Sequence, residues 1–250
     1  MRFMKKIFKK GNFYQHTMSK SERNLKAIAE TEKFVAQEFE KHPHYSFNDW
    51  TVMYNHSIKA RDLALQICEG MSVDAKVVAI GALLHDIGKT YGADAEILHT
   101  KHEEFNLSVS EEFLDTLGLP KGQLQMIKEV VSYKSDGVEM KAIKDADALA
   151  FYADKKLYMM FIDWARENKL NDAIQRKLGK FTNLNFEQSK KLGIGWYRQM
   201  KEDWKVYRKA GSYGVTIPIE IIRELKIREN QKVVITKRGK GILIQDWKKK

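Results

Sequence analysis

Residues 82–89 read ALLHDIGK and set an imidazole, His85, beside a carboxylate, Asp86, at the end of an apolar run. A second imidazole, His56, stands in YNHSIKARDLALQI, and a further carboxylate, Asp147, in IKDADALAFY. Imidazole nitrogens and carboxylate oxygens are donors that hold divalent metals, and a metal so held acidifies a bound water and polarises a phosphoryl oxygen. Each residue alone also has an ordinary explanation. His56 falls on the apolar face of a helix, where a buried histidine bonded to a backbone carbonyl would serve. His85 suits the negative end of a helix dipole, and Asp147 suits the start of an apolar helix as a solvated carboxylate. Asp86 fits less well, because a carboxylate at a helix C-terminus is disfavoured by the dipole, and a bound cation removes that penalty.

Holding such groups together requires helices. Prolines occur only at positions 43, 120 and 218, so long helices are permitted almost everywhere. FNDWTVMYNHSIKARDLALQICEG sets Met53, His56, Ala60, Leu63 and Ile67 at helical spacing and ends at Gly70. SVDAKVVAIGALLHDIG repeats the pattern, which predicts an N-cap at Ser72 and a stop at Gly88. HEEFNLSVSEEFLDTLG places His102, Phe105, Val109 and Phe113 on one face, while His99 falls in the preceding link. KGQLQMIKEVVSYK and DADALAFYADKKLYMMFIDWARENK continue the helical period, and no strand-like alternation interrupts residues 20–204. The two imidazoles and two carboxylates therefore come from three helices. Asp145 and Asp147 lie about 200° apart around a helix, so both would not face one ion.

The pattern changes near residue 208. KVVIT and GILIQ are β-branched runs parted by KRGKG, a glycine-containing turn suited to a hairpin. YGVTI reads as a strand before them, and Pro218 opens a short helix, PIEIIREL. The expected fold is mainly α with a small β-rich C-terminal module, too small to be stable alone, for which dimerisation is a remedy. Charge follows the same division. Of a net +11, residues 205–250 carry +9, from 13 basic and 4 acidic groups, leaving 31 basic against 29 acidic groups before them. So concentrated a positive charge suits phosphate binding, as on DNA. No run is long and apolar enough for a membrane span, and the basic start MRFMKKIFKKGNFYQ lacks the apolar stretch of a secretory signal. Cys68 is the only cysteine, which excludes a disulfide framework and a thiolate metal cluster and fits a reducing cytoplasm.

In order and flanking residues, YNHSIKARDLALQI, ALLHDIGK and IKDADALAFY resemble the HD-domain metal-dependent phosphohydrolases, over roughly residues 45–165. That resemblance implies a helical HD bundle whose metal ligands are His56, His85, Asp86 and Asp147, the last chosen over Asp145 because it follows alanine and precedes an apolar residue. It implies one divalent ion among Mn, Fe, Co, Ni, Zn and Mg, because Tyr133 stands where members with two metals carry a histidine. Lys89, one turn on, would neutralise developing phosphate charge. Asp86 would also orient the attacking water, and His102 would lie near the phosphate. The substrate so implied is a phosphorylated small molecule, a nucleotide by preference. Alternatives are an HD-type nuclease and a transcription regulator that senses a nucleotide without turning it over.

RKAGSYGVTIPIEIIRELKIRENQKVVITKRGKGILIQDW resembles the AbrB/MazE-like swapped-hairpin DNA-binding domains. This implies a homodimer, with DNA contacts from Arg208, Lys209, Arg223, Lys237 and Arg238. The expected organisation is a basic segment, 1–19, an HD domain, 20–204, and an AbrB-like dimerising and DNA-binding domain, 205–250.

Overall fold

In a computed structural model of the chain, the described residues are 20–42, 49–92, 95–167, 170–204, 207–209, 212–214, 219–224, 226 and 233–246. The chain divides into two compact units, residues 1–200 and 201–250. The mainly helical reading holds. Its helices are α1 (Lys20–Lys41), α2 (Trp50–Ile67), α3 (Ala75–Leu84), α4 (Ala95–Thr116), α5 (Lys121–Val131), α6 (Val138–Ala153), α7 (Lys155–Glu167), α8 (Asn171–Gly179) and α9 (Glu187–Trp204). Short 3-10 helices, Ile87–Thr90 and Lys180–Asn183, follow α3 and α8.

The centre of the first unit is α3, which is buried from Lys76 to Leu84 and packs against α2, α5 and α6. A helix apolar on every side has to be enclosed by others, and the run AKVVAIGALL fulfils that condition. Around it, α2 buries Met53, His56, Ala60, Leu63 and Ile67, the stripe its spacing predicts. Asp49 starts α2 by accepting from the Thr51 amide at 3.2 Å.

Two predicted ends differ. The N-cap of α3 is Asp74, not Ser72: its carboxylate accepts from the amides of Lys76 and Val77 at 2.9 and 3.3 Å. A carboxylate there also meets the positive end of the helix dipole. Nor does Gly88 stop the helix. The α-helix ends at Leu84, and Gly88 lies inside the next 3-10 turn, where its role is close approach. A Cβ on Gly88 would stand 2.0 Å from the His102 carbonyl oxygen and 2.8 Å from the Asn106 nitrogen.

The face of α4 is also rotated from the predicted one. Asn106, Ser110 and Leu114 are fully buried, whereas His102, Phe105, Val109 and Phe113 are half-buried. Phe113 stacks on Phe34 at 4.2 Å and Phe105 on Tyr91 at 4.3 Å between ring centroids. The helix begins at Ala95, so His99 is helical rather than in a link.

The second unit contains β1 (Tyr207–Lys209), β2 (Ser212–Gly214), α10 (Ile219–Glu224), β3 (Val233–Arg238) and β4 (Gly241–Asp246). The predicted β3–β4 hairpin is antiparallel, with register from Val233 opposite Asp246 to Arg238 opposite Gly241. Its two-residue loop opens with Gly239 at φ 60°, the glycine-first arrangement that matches strand twist. The strand predicted in YGVTI spans Ser212–Gly214 and pairs with β1, and residues 215–218, Pro218 included, lie outside the described residues. At three residues each, β1 and β2 are too short for alternation to mark them. Among the described residues no helix is long and apolar enough to cross a membrane.

Candidate metal centre

The three helices bring His56, His85, Asp86 and Asp147 together, each offering one donor atom within 4.8 Å of the others. His56 Nε2 is 3.2 Å from Asp147 Oδ1 and 3.3 Å from His85 Nε2. Asp86 Oδ2 is 3.7 Å from His56 Nε2 and 3.5 Å from His85 Nε2, and Asp147 Oδ1 is 3.6 Å from His85 Nε2. Donors about 2.0–2.2 Å from one ion, at tetrahedral or octahedral angles, stand roughly 3.0–3.6 Å apart. The spacing fits a single divalent cation.

The hydrogen bonding of the rings agrees with that fit. His85 Nδ1 lies 2.7 Å from the Ala82 carbonyl, so this nitrogen donates and the Nε2 lone pair of the neutral ring faces the cluster. His56 Nδ1 is buried without a hydrogen-bond partner among the described residues. Burial pushes the His56 pKa down and keeps its ring neutral. Burial acts the same way on His85, but the charges of Asp86 and Asp147 outweigh it and raise its pKa. Burial alone would raise both carboxylates, yet both lie well below the usual range. Lys89, His85 and His102 hold Asp86 ionised, and Lys180 with the two cluster histidines holds Asp147 ionised. Two neutral-capable imidazoles facing two carboxylates are the donor set of a mixed N/O metal site.

The positions of these groups follow from local structure. The 3-10 turn after α3 carries Asp86 into the cluster, and Asn106 of α4 fixes the turn. Its amide oxygen accepts from Gly88 N at 2.7 Å, and its amide nitrogen donates to the His85 carbonyl at 2.6 Å. His102, one helical turn before Asn106, lies with Nε2 2.9 Å from Asp86 Oδ1. Lys89 Nζ is 2.5 Å from Asp86 Oδ2. Tyr133, at φ 57°, has its pKa raised well above the usual phenol value by burial and by Asp147, Glu103 and Asp86.

Asp145 does not join. It is fully buried and accepts from Asn185 N at 2.9 Å and Phe186 N at 3.1 Å, tying α6 to the segment before α9. The opposed directions of the two aspartates are those their helical spacing requires.

Two residues at the site are absent from the sequence-based candidates: Asn106 and Lys180. Asn106 stands four residues from both His102 and Ser110, a polar line through an apolar face that marks it in retrospect. Lys180 Nζ, 2.9 Å from Asp147 Oδ2, has no local signal, because 33 residues separate the pair. Of the candidate DNA contacts, Arg223 is exposed on α10, and Lys237 and Arg238 are exposed at the end of β3. Arg208 and Lys209 lie in β1, with side chains outside the described ones.

Comparison with known proteins agrees with this geometry. Residues 53–159 match the HD domain family, and residues 210–250 match the MazE family of antidote-toxin recognition bacterial antitoxins. A curated relative, a tRNA (cytidine(56)-2′-O)-methyltransferase of Thermoplasma volcanium, is 27% identical over 55% of this chain. The match spans only 44% of that protein. Among solved structures, an HD-superfamily hydrolase from Bacillus thuringiensis is similar at TM-score 0.55 and 15% identity, over 82% of this chain and 100% of that one. Bacillus subtilis YpgQ in complex with ADP is similar at TM-score 0.53 and 19% identity, over 82% and 95%. The Lin1889 protein of Listeria innocua is similar at TM-score 0.51 and 18% identity, over 85% and 100%. At such identities the likeness concerns the fold. Residues 53–159 of this chain match the HD domain family and share its helical fold, and residues 210–250 match the MazE family.

Proposed function

We propose that the chain is a metal-dependent phosphohydrolase that cleaves a phosphoester of a nucleotide, and that its C-terminal module dimerises it and binds DNA. The observation that carries the enzymatic reading is the cluster of His56, His85, Asp86 and Asp147 with Lys89 and Lys180 paired to its two carboxylates. The four residues would hold one divalent ion, which supplies Lewis acidity and an acidified water. Around it the protein's own groups divide the work. Asp86, kept ionised, orients the attacking water. His102 fixes the Asp86 carboxylate through Oδ1 and stands where a phosphate oxygen would approach. Lys89 neutralises charge that develops on the phosphoryl oxygens. The likeness in fold to a protein solved with ADP supports a nucleotide over other phosphoesters.

The test is a panel of nucleoside mono-, di- and triphosphates, cyclic dinucleotides and single- and double-stranded DNA, each assayed with Mn, Mg, Co, Ni, Fe and Zn. The expected result is metal-dependent release of phosphate or pyrophosphate from a nucleotide. Cleavage of DNA alone would replace this reading with a nuclease, and specific binding without turnover would replace it with a sensor.

For the second module, the support is the +9 charge of residues 205–250 and the exposure of Arg223, Lys237 and Arg238. Changing these three residues to glutamine in the full chain should weaken binding to double-stranded DNA by about tenfold or more. It should also flatten the salt slope by about 0.9 for each DNA phosphate that is no longer neutralised. An unchanged slope would leave the module a dimerisation element only, which sedimentation of the same protein would read.

A further inference from the structure

We propose that Lys177 and Lys180 form a second anion-binding station beside the metal centre, which selects substrates with two or more linked phosphates over phosphate monoesters. The inference rests on the phosphohydrolase reading of the same site. Lys180 bonds Asp147 through Oδ2, whereas Oδ1 faces the imidazoles of His56 and His85. Its side chain is 46% exposed, so the ammonium stands at the rim of a nearly closed cluster. Lys89 holds the other carboxylate, so each carboxylate of the donor set has its own ammonium partner.

Lys177 is the less ordinary of the pair. Its ammonium lies 4.7 Å from the centroid of Phe151 and 5.8 Å from that of Phe161, and it forms no ion pair among the described residues. The Tyr152 hydroxyl donates to its carbonyl oxygen at 2.6 Å and anchors this turn of α8. Burial lowers the Lys177 pKa to about 8, aided by Lys180 and Lys89 and opposed by Asp147 and Asp86. A lysine that only complemented the α8 dipole would do so from water, without this desolvation. An anion between the two lysines restores what burial removes.

The charge count points to the same substrate class. A divalent ion and the two carboxylates cancel, which leaves the three positive charges of Lys89, Lys177 and Lys180. Glu103, exposed nearby on α4, offsets at most one of them. A phosphate monoester supplies roughly −1.5 to −2 at neutral pH, and each further linked phosphate adds roughly one more. Lys89 suffices for the phosphoryl group under attack. The pair on α8 and its following turn has no use for a monoester, and suits the remainder of a phosphate chain.

Equilibrium binding of AMP and ADP to the full chain, without added metal and with Mg²⁺, tests this without turnover as the readout. The unmodified protein should prefer ADP by about tenfold or more, and the K177M/K180M double variant should bring the two affinities within about threefold. K180R should keep most of the preference because it keeps the charge. K180Q, whose side chain is half-exposed at the rim of the cluster, should lose a measurable part of it even if K177M does not fold. An AMP-to-ADP ratio unchanged in K180Q and in the folded double variant overturns the station, as does equal affinity in the unmodified protein. Either result with phosphate release intact leaves the phosphohydrolase standing. A lysine-dependent preference for ADP with no release from any nucleotide under any metal overturns the phosphohydrolase instead.

Discussion

Asp86→Asn should lower metal-dependent turnover of the proposed phosphoester substrate by about 10³-fold, and His85→Ala should do the same, because a metal's contribution of several kcal/mol to phosphoryl transfer would be lost with its ligands. The two variants remove different things. Asp86→Asn keeps the volume of the side chain and removes its charge, so Lys89 and His102 lose the ion that both now contact. His85→Ala removes a donor and leaves the Ala82 carbonyl without the ring that donates to it. Loss of turnover in both, with circular dichroism unchanged, assigns the defect to the site. Metal-dependent turnover that persists within about tenfold in both variants would show that the reaction does not use this cluster.

Gly88→Ala is the second large effect. The new methyl would meet the His102 carbonyl oxygen at 2.0 Å, a backbone atom in the middle of α4 that no rotamer change can move. Either α4 or the turn that carries Asp86 has to shift. The cost should reach about 3 kcal/mol or more, at the upper end of what overpacking produces. For a unit of this size the melting temperature should fall by roughly 6–12 °C. Gly92→Ala is the internal control: nothing lies within 4 Å of its Cβ position, and its melting temperature should move by about 2 °C at most. If the two variants melted together, the tight contact between the turn and α4 would not exist in solution. Metal affinity should fall with Gly88→Ala as well, since the same shift displaces Asp86 from its cluster and Gly88 N from Asn106.

The parts of this molecule that sequence makes plain are those set by periodicity and residue type. The stripe from Met53 to Ile67 identifies α2 and orients His56, because a buried helix face repeats every three to four residues. The apolar run before His85 locates α3, and the β-branched runs around Gly239 and Gly241 locate a hairpin. Ends and rotations are less plain. Ser72 and Asp74 are both capable caps two residues apart, and only the amides that find a partner distinguish them. Gly88 resembles a helix stop because a glycine retained for close approach and one retained for its dihedral angles are the same letter. In α4 the apolar residues Phe105, Val109 and Phe113 suggest one face, but Phe34 and Tyr91 cover two of them from the side. The buried line is the one that contains Asn106, whose hydrogen bonds join residues 18 and 21 apart. Lys180 reaches Asp147 from the 3-10 turn after α8, and Lys177 reaches Phe151 of α6 from α8 itself, destinations that no local pattern records.

The donor cluster itself is the claim on which the functional account depends, and metal content is its most direct measure. The purified full chain, loaded with each divalent metal and desalted, should retain about one ion per chain by elemental analysis. The variant with both His85→Ala and Asp86→Ala should retain less than about one tenth of that, with a binding isotherm weakened by about 100-fold or more. Equal metal in the two proteins would contradict the assignment of His56, His85, Asp86 and Asp147 as a metal centre.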